Sequence, residues 1–306
     1  MGVYLIRRFV DTIIVLFGVT LLTFTISFVM PGDPARTIAG PMVSEEAVQR
    51  MRKEWGLDQP VPVQYITYMS HLLRGDMGRS YLTSNEVLPS ILMRLPATAE
   101  LALAGELAIL MIGIPVGIIS AVKQHTAFDR VSMVLALLGI CVPRFFLGLL
   151  FLYVFAFKLS FFPLGGYGGL RHVVLPALTL GLTVGAWYAR VLRSSMLDII
   201  HADYVRTARA KGLKESVVII RHAFRNAAGP VVTMVGADVG TLLGGTLILE
   251  KVFGWPGIGL QAWQAIDYLD IPLLMGTVLV GAVFIVLGNL VADIARGIVD
   301  PRIRYS

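Results

Sequence analysis

Residues 201–227 read HADYVRTARAKGLKESVVIIRHAFRNA, a basic stretch that lies between two long apolar runs. Six of its residues are Lys or Arg, two are His and only two are acidic, a composition too polar to span a bilayer. Good helix formers fill residues 204–211, Gly212 ends that segment, and a second helix is predicted over residues 216–226. The sequence therefore predicts two short helices that meet at a glycine.

The second of these helices is predicted to be amphipathic. Val217, Ile220 and Phe224 recur at helical spacing and share one face. Arg221 and Arg225 share another face. Such a pattern predicts a basic helix pair at the cytoplasmic surface, and a helix pair that only rests on lipid is the general alternative.

The composition of the whole chain indicates a membrane protein. Of its 306 residues, 56% are hydrophobic and 15% are charged, whereas soluble domains carry about 25% charged residues. The net charge of +6 is then expected in loops that face anionic lipid and cytoplasm. Membrane lipid is an expected partner. Nucleic acid is not, because the aromatic-plus-basic patterns that bind it are absent.

Six apolar stretches are long enough to be transmembrane helices, since a spanning helix needs about 20 mostly apolar residues. They are residues 12–30, 97–122, 132–157, 173–192, 230–249 and 271–292. The predicted fold class is therefore all-α, a polytopic membrane protein with six spans. Residues 31–96 are the only sizeable segment between spans on the outer side and are predicted to form a small extracytoplasmic cap. Within the cap a helix should begin after Ser44 and end near Gly56, and a second short helix should follow.

The basic residues in short flanks set the orientation of the spans. With six spans, both termini and the 201–227 stretch are predicted to be cytoplasmic. The basic residues that fall on the inner side outside that stretch are Arg7, Arg8, Lys123, Arg130, Arg296, Arg302 and Arg304.

Small residues four positions apart allow membrane helices to approach closely. Plain helix packing is the preferred interpretation of these glycines, and a partner-subunit interface or a flexible gate is the alternative. The glycines with this spacing are Gly113 and Gly117, Gly181 and Gly185, and Gly236, Gly240 and Gly244.

Five charged residues fall inside the predicted spans. Glu100 and Arg190 lie near the ends of their spans, whereas Glu106, Arg144 and Asp238 lie deeper. A charge at the centre of a spanning helix costs about 2.5–3.5 kcal/mol on insertion scales, so these side chains need water or partners. One hypothesis is that they line a translocation pathway and that Arg144 partly pairs with one of the acids. A structural interhelical pair away from any pathway is the equal alternative.

The sequence contains no recognisable enzyme signature. It lacks the G-x-S-x-G and H-E-x-x-H motifs, and no two of its His residues are paired at metal-ligand spacing. Residues 240–246, GTLLGGT, have the glycines of a phosphate loop without its lysine. Catalytic, cofactor-binding and metal-binding residues are therefore not expected, and any ATP that drives transport must be bound by another chain.

The segment YVRTARAKGLKESVVIIRHAFRNAAGPVVT resembles the EAA loop of ABC-importer permeases. Arg206, Thr207 and Ala208 stand at the E-A-A positions and Gly212 at the glycine. The first two depart from the general pattern in the way typical of the peptide and nickel branch. Other motifs agree with that branch in order along the chain: PGDPAR, GLDQP, LPATAELA, GYGGLRHVVLPALTLG, ARVLRSSMLD, EKVFGWPGIG and DPRIR.

The resemblance implies a type I ABC-importer permease, the first of two permease subunits, in the bacterial inner membrane. It implies residues 1–96 as the first helix plus the cap, and residues 97–306 as a five-helix core with a coupling loop near 199–229. The implied partners are a second homologous permease, two ATP-binding subunits that hold ATP and Mg²⁺, and an extracytoplasmic substrate-binding protein. The residues implied to couple to the ATPase are Tyr204, Arg206, Thr207, Ala208, Arg209, Ala210, Lys211, Gly212 and Leu213.

The transported substrate is expected to be a dipeptide or oligopeptide. Nickel, glutathione or a metallophore carried by the same mechanism is the alternative within the family. A gradient-driven secondary transporter is the alternative from another class, since it would use the intramembrane acids, but it gives no role to the basic stretch at residues 201–227.

Overall fold

The computed structural model describes residues 2–29 and 32–299, with the side chains of 2–7, 9 and 294–299 excepted. The predicted limits of the first span at residue 30 and of the cap at residue 31 lie outside the described residues, as do Arg302, Arg304 and the DPRIR motif. In chain order the helices before the 201–227 stretch are α1 (Gly2–Val29), α2 (Pro34–Ala39), α3 (Glu45–Glu54), α4 (Val61–Leu72), α5 (Val87–Val122), α6 (Ala127–Cys141), α7 (Arg144–Phe151) with a π-helical continuation (Leu152–Lys158), and α8 (Leu170–Ile200). The helices that follow are α9 (Asp203–Ala210), α10 (Glu215–Val217) with a π-helical continuation (Val218–Phe224), α11 (Arg225–Ala227), α12 (Gly229–Leu243), α13 (Leu247–Phe253), α14 (Ile258–Asp267) and α15 (Ile271–Val299).

Four single helices in the described chain are long and apolar enough to cross a membrane: α1, α5, α8 and α15. Two helix pairs, α6 with α7 and α12 with α13, pass the same test only together and are bent by 103° and 59°. Counting each bent pair as one span gives the six predicted spans.

The third and fifth predicted spans are therefore broken, where the sequence analysis expected continuous helices. At the first break Val142 is extended, and Pro143 lies between it and α7. Val142 is extended because the residue before a proline disfavours helical geometry. At the second break Gly245 adopts a φ of +99°, a conformation that glycine tolerates best. Arg144 consequently begins a half-helix and does not lie in the middle of a span.

The predicted close packing of glycines is confirmed within the chain. A Cβ atom on Gly113 would lie 2.9 Å from the carbonyl oxygen of Gly185, so α5 and α8 are in backbone contact. A Cβ atom on Gly240 would lie 2.9 Å from Cα of Gly288, which places α12 equally close to α15. These two helix pairs bring small residues together as membrane helices commonly do.

Helices α5 and α8 run antiparallel and define the two ends of the molecule. At one end Tyr167, just before α8, donates a 2.8 Å hydrogen bond to Glu100 in the first half of α5. At the other end Arg193 of α8 bonds both carboxylate oxygens of Asp129, just after α5, at 2.6 and 2.8 Å. The segment at 201–227 follows α8 at this second end, opposite the cap.

The cap contains the two predicted helices, and Ser44 and Gly56 stand at the ends of α3 as expected. The ring of Trp55 at the end of α3 stacks on Tyr81 at 4.2 Å, which ties this helix to the loop before α5. On the other side, Tyr65 of α4 lies 3.0 Å from the hydroxyl of Thr20, so the cap rests against α1.

Helix α5 is longer than the predicted second span. Its 36 residues correspond to about 54 Å, which exceeds the hydrocarbon thickness of a bilayer. The ten-residue extension Val87–Pro96 belongs to the segment assigned to the cap. The proposed division of the chain between residues 96 and 97 thus falls inside a continuous helix, and that division remains a prediction.

Candidate coupling segment and membrane pathway

The segment at 201–227 is a helical hairpin that turns at Gly212. Gly212 has a φ of +74°, and its N–H donates to the carbonyl oxygen of Arg209 at 2.9 Å. A Cβ atom added there would meet nothing within 4 Å. Glycine is therefore favoured here by the backbone conformation, and not because a side chain would be crowded by the rest of the chain.

The hairpin is held together by a small apolar cluster. Val205 and Ala208 of α9 and Val218 of the second arm are buried against one another. The second arm does not bury the apolar face that α-helical spacing predicts, because Val217 and Ile220 on that face are exposed. That arm is π-helical from Val218 onward, and its wider turn rotates the apolar residues away from the face that α-helical spacing predicts.

A charged pair closes the turn of the hairpin. The guanidinium of Arg209 donates to the carboxylate of Glu215 at 2.9 and 3.2 Å and to the carbonyl oxygen of Ile200 at 3.2 Å. The hydrogen bond to Glu215 raises the pKa of Arg209 above its ordinary value, so the guanidinium stays protonated. Arg209 is thereby directed into the hairpin.

Seven of the nine candidate coupling residues form one exposed surface at the cytoplasmic end. We call them the docking face: Tyr204, Arg206, Thr207, Ala210, Lys211, Gly212 and Leu213. Ala208 is buried and the side chain of Arg209 is bonded within the hairpin, so neither belongs to this exposed surface. Both help to shape the hairpin, and the coupling role of all nine residues remains a prediction.

Two alanines on one helix provide a direct check of this placement. In a chain whose only native cysteine, Cys141, is replaced by Ser, the variant Ala210→Cys should react with a water-soluble maleimide many times faster than Ala208→Cys. The reason is that position 210 is exposed whereas position 208 is 5% exposed. Equal rates for the folded chain would contradict the orientation of α9.

The intramembrane charges lie near a second feature, a cavity of about 360 Å³ between the α6–α7 break, α8 and α12. Arg144 and Asp238 both line this cavity. Asp238 accepts a 2.8 Å hydrogen bond from the hydroxyl of Tyr188, a partner that the sequence analysis did not identify. Because the span breaks just before Arg144, this residue lies at the start of α7 and lines the cavity.

Glu106 is buried beside these groups and does not line the cavity. Both its carboxylate oxygens lack a hydrogen-bond partner among the described residues. It is close enough to Asp238 and Tyr188 to interact with them electrostatically. No ion pair within 4 Å joins Arg144 to either acid in the part of the chain that the structure describes. The hypothesised partial pairing is therefore limited to a longer-range electrostatic interaction between Arg144 and Asp238.

Comparison with known proteins identifies the class of membrane protein. The family model described as "Binding-protein-dependent transport system inner membrane component" matches residues 113–305. The chain belongs to this family. A second model, "Binding-prot-dependent transport system membrane comp, N-term", matches residues 1–102.

Curated relatives cover the chain from end to end. The "Glutathione transport system permease protein GsiC" of Salmonella choleraesuis (strain SC-B67) is 40% identical over 303 residues, and 99% of each chain is covered. The protein of the same name from Escherichia coli (strain K12) has the same identity and coverage. The chain is thus an ABC-importer permease and not a gradient-driven secondary transporter, the alternative from another class.

Solved structures confirm the permease fold. Two crystal forms of the inward-facing MetNI methionine ABC transporter match with TM-scores of 0.56 and 0.57 at 16% identity. The first match covers 70% of this chain and 97% of the other. The predicted all-helical permease fold and the multi-pass location in the inner membrane are confirmed.

Proposed function

We propose that this permease forms half of the translocation pathway of an importer for short peptides, glutathione among them. The observation that carries the proposal is the full-length similarity to permeases named for glutathione transport, combined with a peptide-branch coupling segment. Glutathione is itself a tripeptide, so the relatives and the peptide interpretation describe one chemical class. Nickel or metallophore import by the same mechanism is the alternative within the family, whereas the relatives reported above are named for glutathione transport.

We infer that the partners are a second permease, two ATP-binding subunits and an extracytoplasmic substrate-binding protein. The fold likeness to MetNI supports a permease of the kind that works with ATPases. ATP and Mg²⁺ belong to the ATP-binding subunits in this proposal, and the permease itself is not an enzyme. Its cap offers the extracytoplasmic surface on which a binding protein would dock.

The docking face would transmit the ATPase movement to the membrane helices. It is joined directly to α8 through the short link at 201–202, and Ser195 of α8 donates a 2.9 Å hydrogen bond to the carbonyl oxygen of Ala227. Both arms of the hairpin are therefore tied to α8, and α8 is in backbone contact with α5. A push on the hairpin would move this helix pair as one body.

Arg144, Asp238 and Glu106 are proposed to belong to the pathway. A cavity with a guanidinium and a carboxylate on its wall suits a zwitterionic peptide, whose two termini carry opposite charges. The unpartnered carboxylate of Glu106 needs water or a ligand group nearby, because a buried charge without partners is costly.

Two measurements test this function. Affinity purification of the tagged chain from its native membrane in mild detergent, followed by mass spectrometry, should recover a second permease and ATP-binding subunits. Uptake of labelled glutathione by cells should then fall when unlabelled dipeptides or tripeptides are added in excess. Competition by Ni²⁺ alone, with no effect of peptides, would overturn the peptide assignment while leaving the importer class intact.

A further inference from the structure

A second polar cavity, of about 510 Å³, opens at the cap end of the molecule and is separate from the cavity that holds Arg144 and Asp238. It lies between the first turns of α5, the loop before that helix, and α14 with the start of α15. This volume is within the range of about 300–1,000 Å³ that is usual for small-molecule sites. Its rim is open, since Met93 and Tyr268 are exposed.

The cavity contains one cation that has no partner of its own. Arg94 of α5 lines it and is half-buried, yet it forms no hydrogen bond or ion pair with another described residue. The acid that interacts electrostatically with Arg94 is Glu250. That carboxylate is fully buried and already accepts hydrogen bonds from the N–H of Leu260 at 2.8 Å and the hydroxyl of Thr98 at 3.3 Å.

A second group in the wall also lacks a partner. Gln261 of α14 is 3% exposed, and its amide oxygen has no hydrogen-bond partner among the described residues. An unsatisfied buried amide is costly unless something pairs with it. Gln264 adds a second amide to the lining. The acid Asp270 also lines the cavity, but it is 1% exposed and its carboxylate accepts hydrogen bonds from the hydroxyl of Ser80 and the N–H of Tyr81. The wall therefore combines one unpaired guanidinium with amides that can both donate and accept, and its one carboxylate is already hydrogen-bonded within the chain.

We propose that this cavity is an extracytoplasmic subsite that receives a carboxylate of the transported peptide, an inference that rests on the proposed function. Arg94 binds the carboxylate, because a guanidinium presents paired donors that match its two oxygens. Gln261 and its neighbouring amides bind the adjoining peptide group, which has the same donor and acceptor as an amide side chain. The peptide released by the binding protein would occupy this subsite before it enters the membrane.

The test uses the assembled importer in proteoliposomes, with Cys141 replaced by Ser and Asn85 replaced by Cys as a reporter in the cavity wall. A membrane-impermeant methanethiosulfonate should label Asn85→Cys on the cap side. S-methylglutathione and trialanine, which have no free thiol, should slow that labelling in proportion to occupancy. Their C-terminal amides should protect less, because amidation removes the negative charge.

Arg94→Gln should raise the concentration needed for half-protection by about tenfold or more, the effect expected when a charge-assisted hydrogen bond is lost. Arg79→Gln is the matched control, since Arg79 is an exposed cation on the same side that does not line the cavity. In Arg79→Gln the probes should protect the reporter cysteine at the same concentrations as in the parent. The amount of assembled complex, measured by size-exclusion chromatography in detergent, should be the same for both variants and the parent.

Three results would overturn the subsite. Protection that is the same in Arg94→Gln and in its parent would show that the guanidinium does not bind the probes. Equal protection by the peptides and their amides would show that no carboxylate is recognised. Absence of labelling in the complex, with labelling of the isolated subunit, would assign the cavity to a contact with a partner. Absence of ATP-driven uptake by the parent complex would instead overturn the proposed function.

Discussion

Replacing Gly212 with Asp is expected to abolish ATP-driven uptake while leaving the chain folded in the membrane. The residue turns the hairpin with a φ of +74° and has open space where a side chain would project. Aspartate is among the few residues that adopt this conformation with modest strain, so the hairpin should still form. The added carboxylate would stand in the middle of the docking face and would hold an ATPase surface away from it.

Gly75→Asp is the control for that variant. Gly75 has a φ of +82°, open surroundings, and an N–H bonded to a carbonyl oxygen three residues earlier at 2.9 Å, the same geometry as Gly212. It lies at the cap end, so the same substitution should leave coupling intact. Uptake in proteoliposomes and the amount of folded complex are measured for both. Normal uptake by Gly212→Asp would count against a docking role for this hairpin.

The largest expected loss of stability comes from Gly288→Ala. A Cβ atom at this position would lie 2.4 Å from Cα and 2.6 Å from N of Gly240, both backbone atoms of the facing helix. Helices α12 and α15 would have to separate, because backbone atoms cannot rotate away as a side chain can. Overpacking of this kind typically costs about 1–3 kcal/mol, and a backbone clash is expected at the upper end of that range.

Gly18→Ala is the matched comparison, since Gly18 is also inside a helix but has nothing within 4 Å of an added Cβ. There the exchange should be neutral or slightly stabilising, because alanine favours a helix by up to about 1 kcal/mol over glycine. The measurement is the fraction of folded complex that survives heating in detergent, followed by size-exclusion chromatography. Equal survival of the two variants would show that the α12–α15 contact is looser than the structure indicates.

The sequence predicted the spans because hydropathy reports burial in lipid directly, and it predicted the cap helix after Ser44 from local signals. It did not predict that two spans are bent, although the residues at the two breaks, Pro143 and Gly245, can be read in the sequence. A proline or glycine in an apolar run permits a break, but only the surrounding helices decide whether the halves diverge. The extension Val87–Pro96 was likewise hidden, since its polar residues removed it from the apolar pattern.

Only the part of the candidate site that depends on local sequence could be predicted. The turn at Gly212 was predicted correctly because it depends on local conformation, whereas the coupling role of the docking face remains a prediction. The inward position of Ala208 and Arg209 depends on where the second arm runs, and its π-helical turn is not encoded in simple spacing. The buried Glu250 and the unpaired Arg94 were missed because their surroundings come from distant parts of the chain, even though Glu250 begins the motif EKVFGWPGIG.

The decisive measurement of ATP-driven import is the energy source for uptake of labelled glutathione into proteoliposomes that contain the purified complex and its binding protein. We expect uptake only with ATP on the side of the docking face, inhibition by vanadate, and no uptake driven by a proton gradient alone. Uptake by this chain alone, driven by a proton gradient and indifferent to ATP, would contradict ATP-driven import.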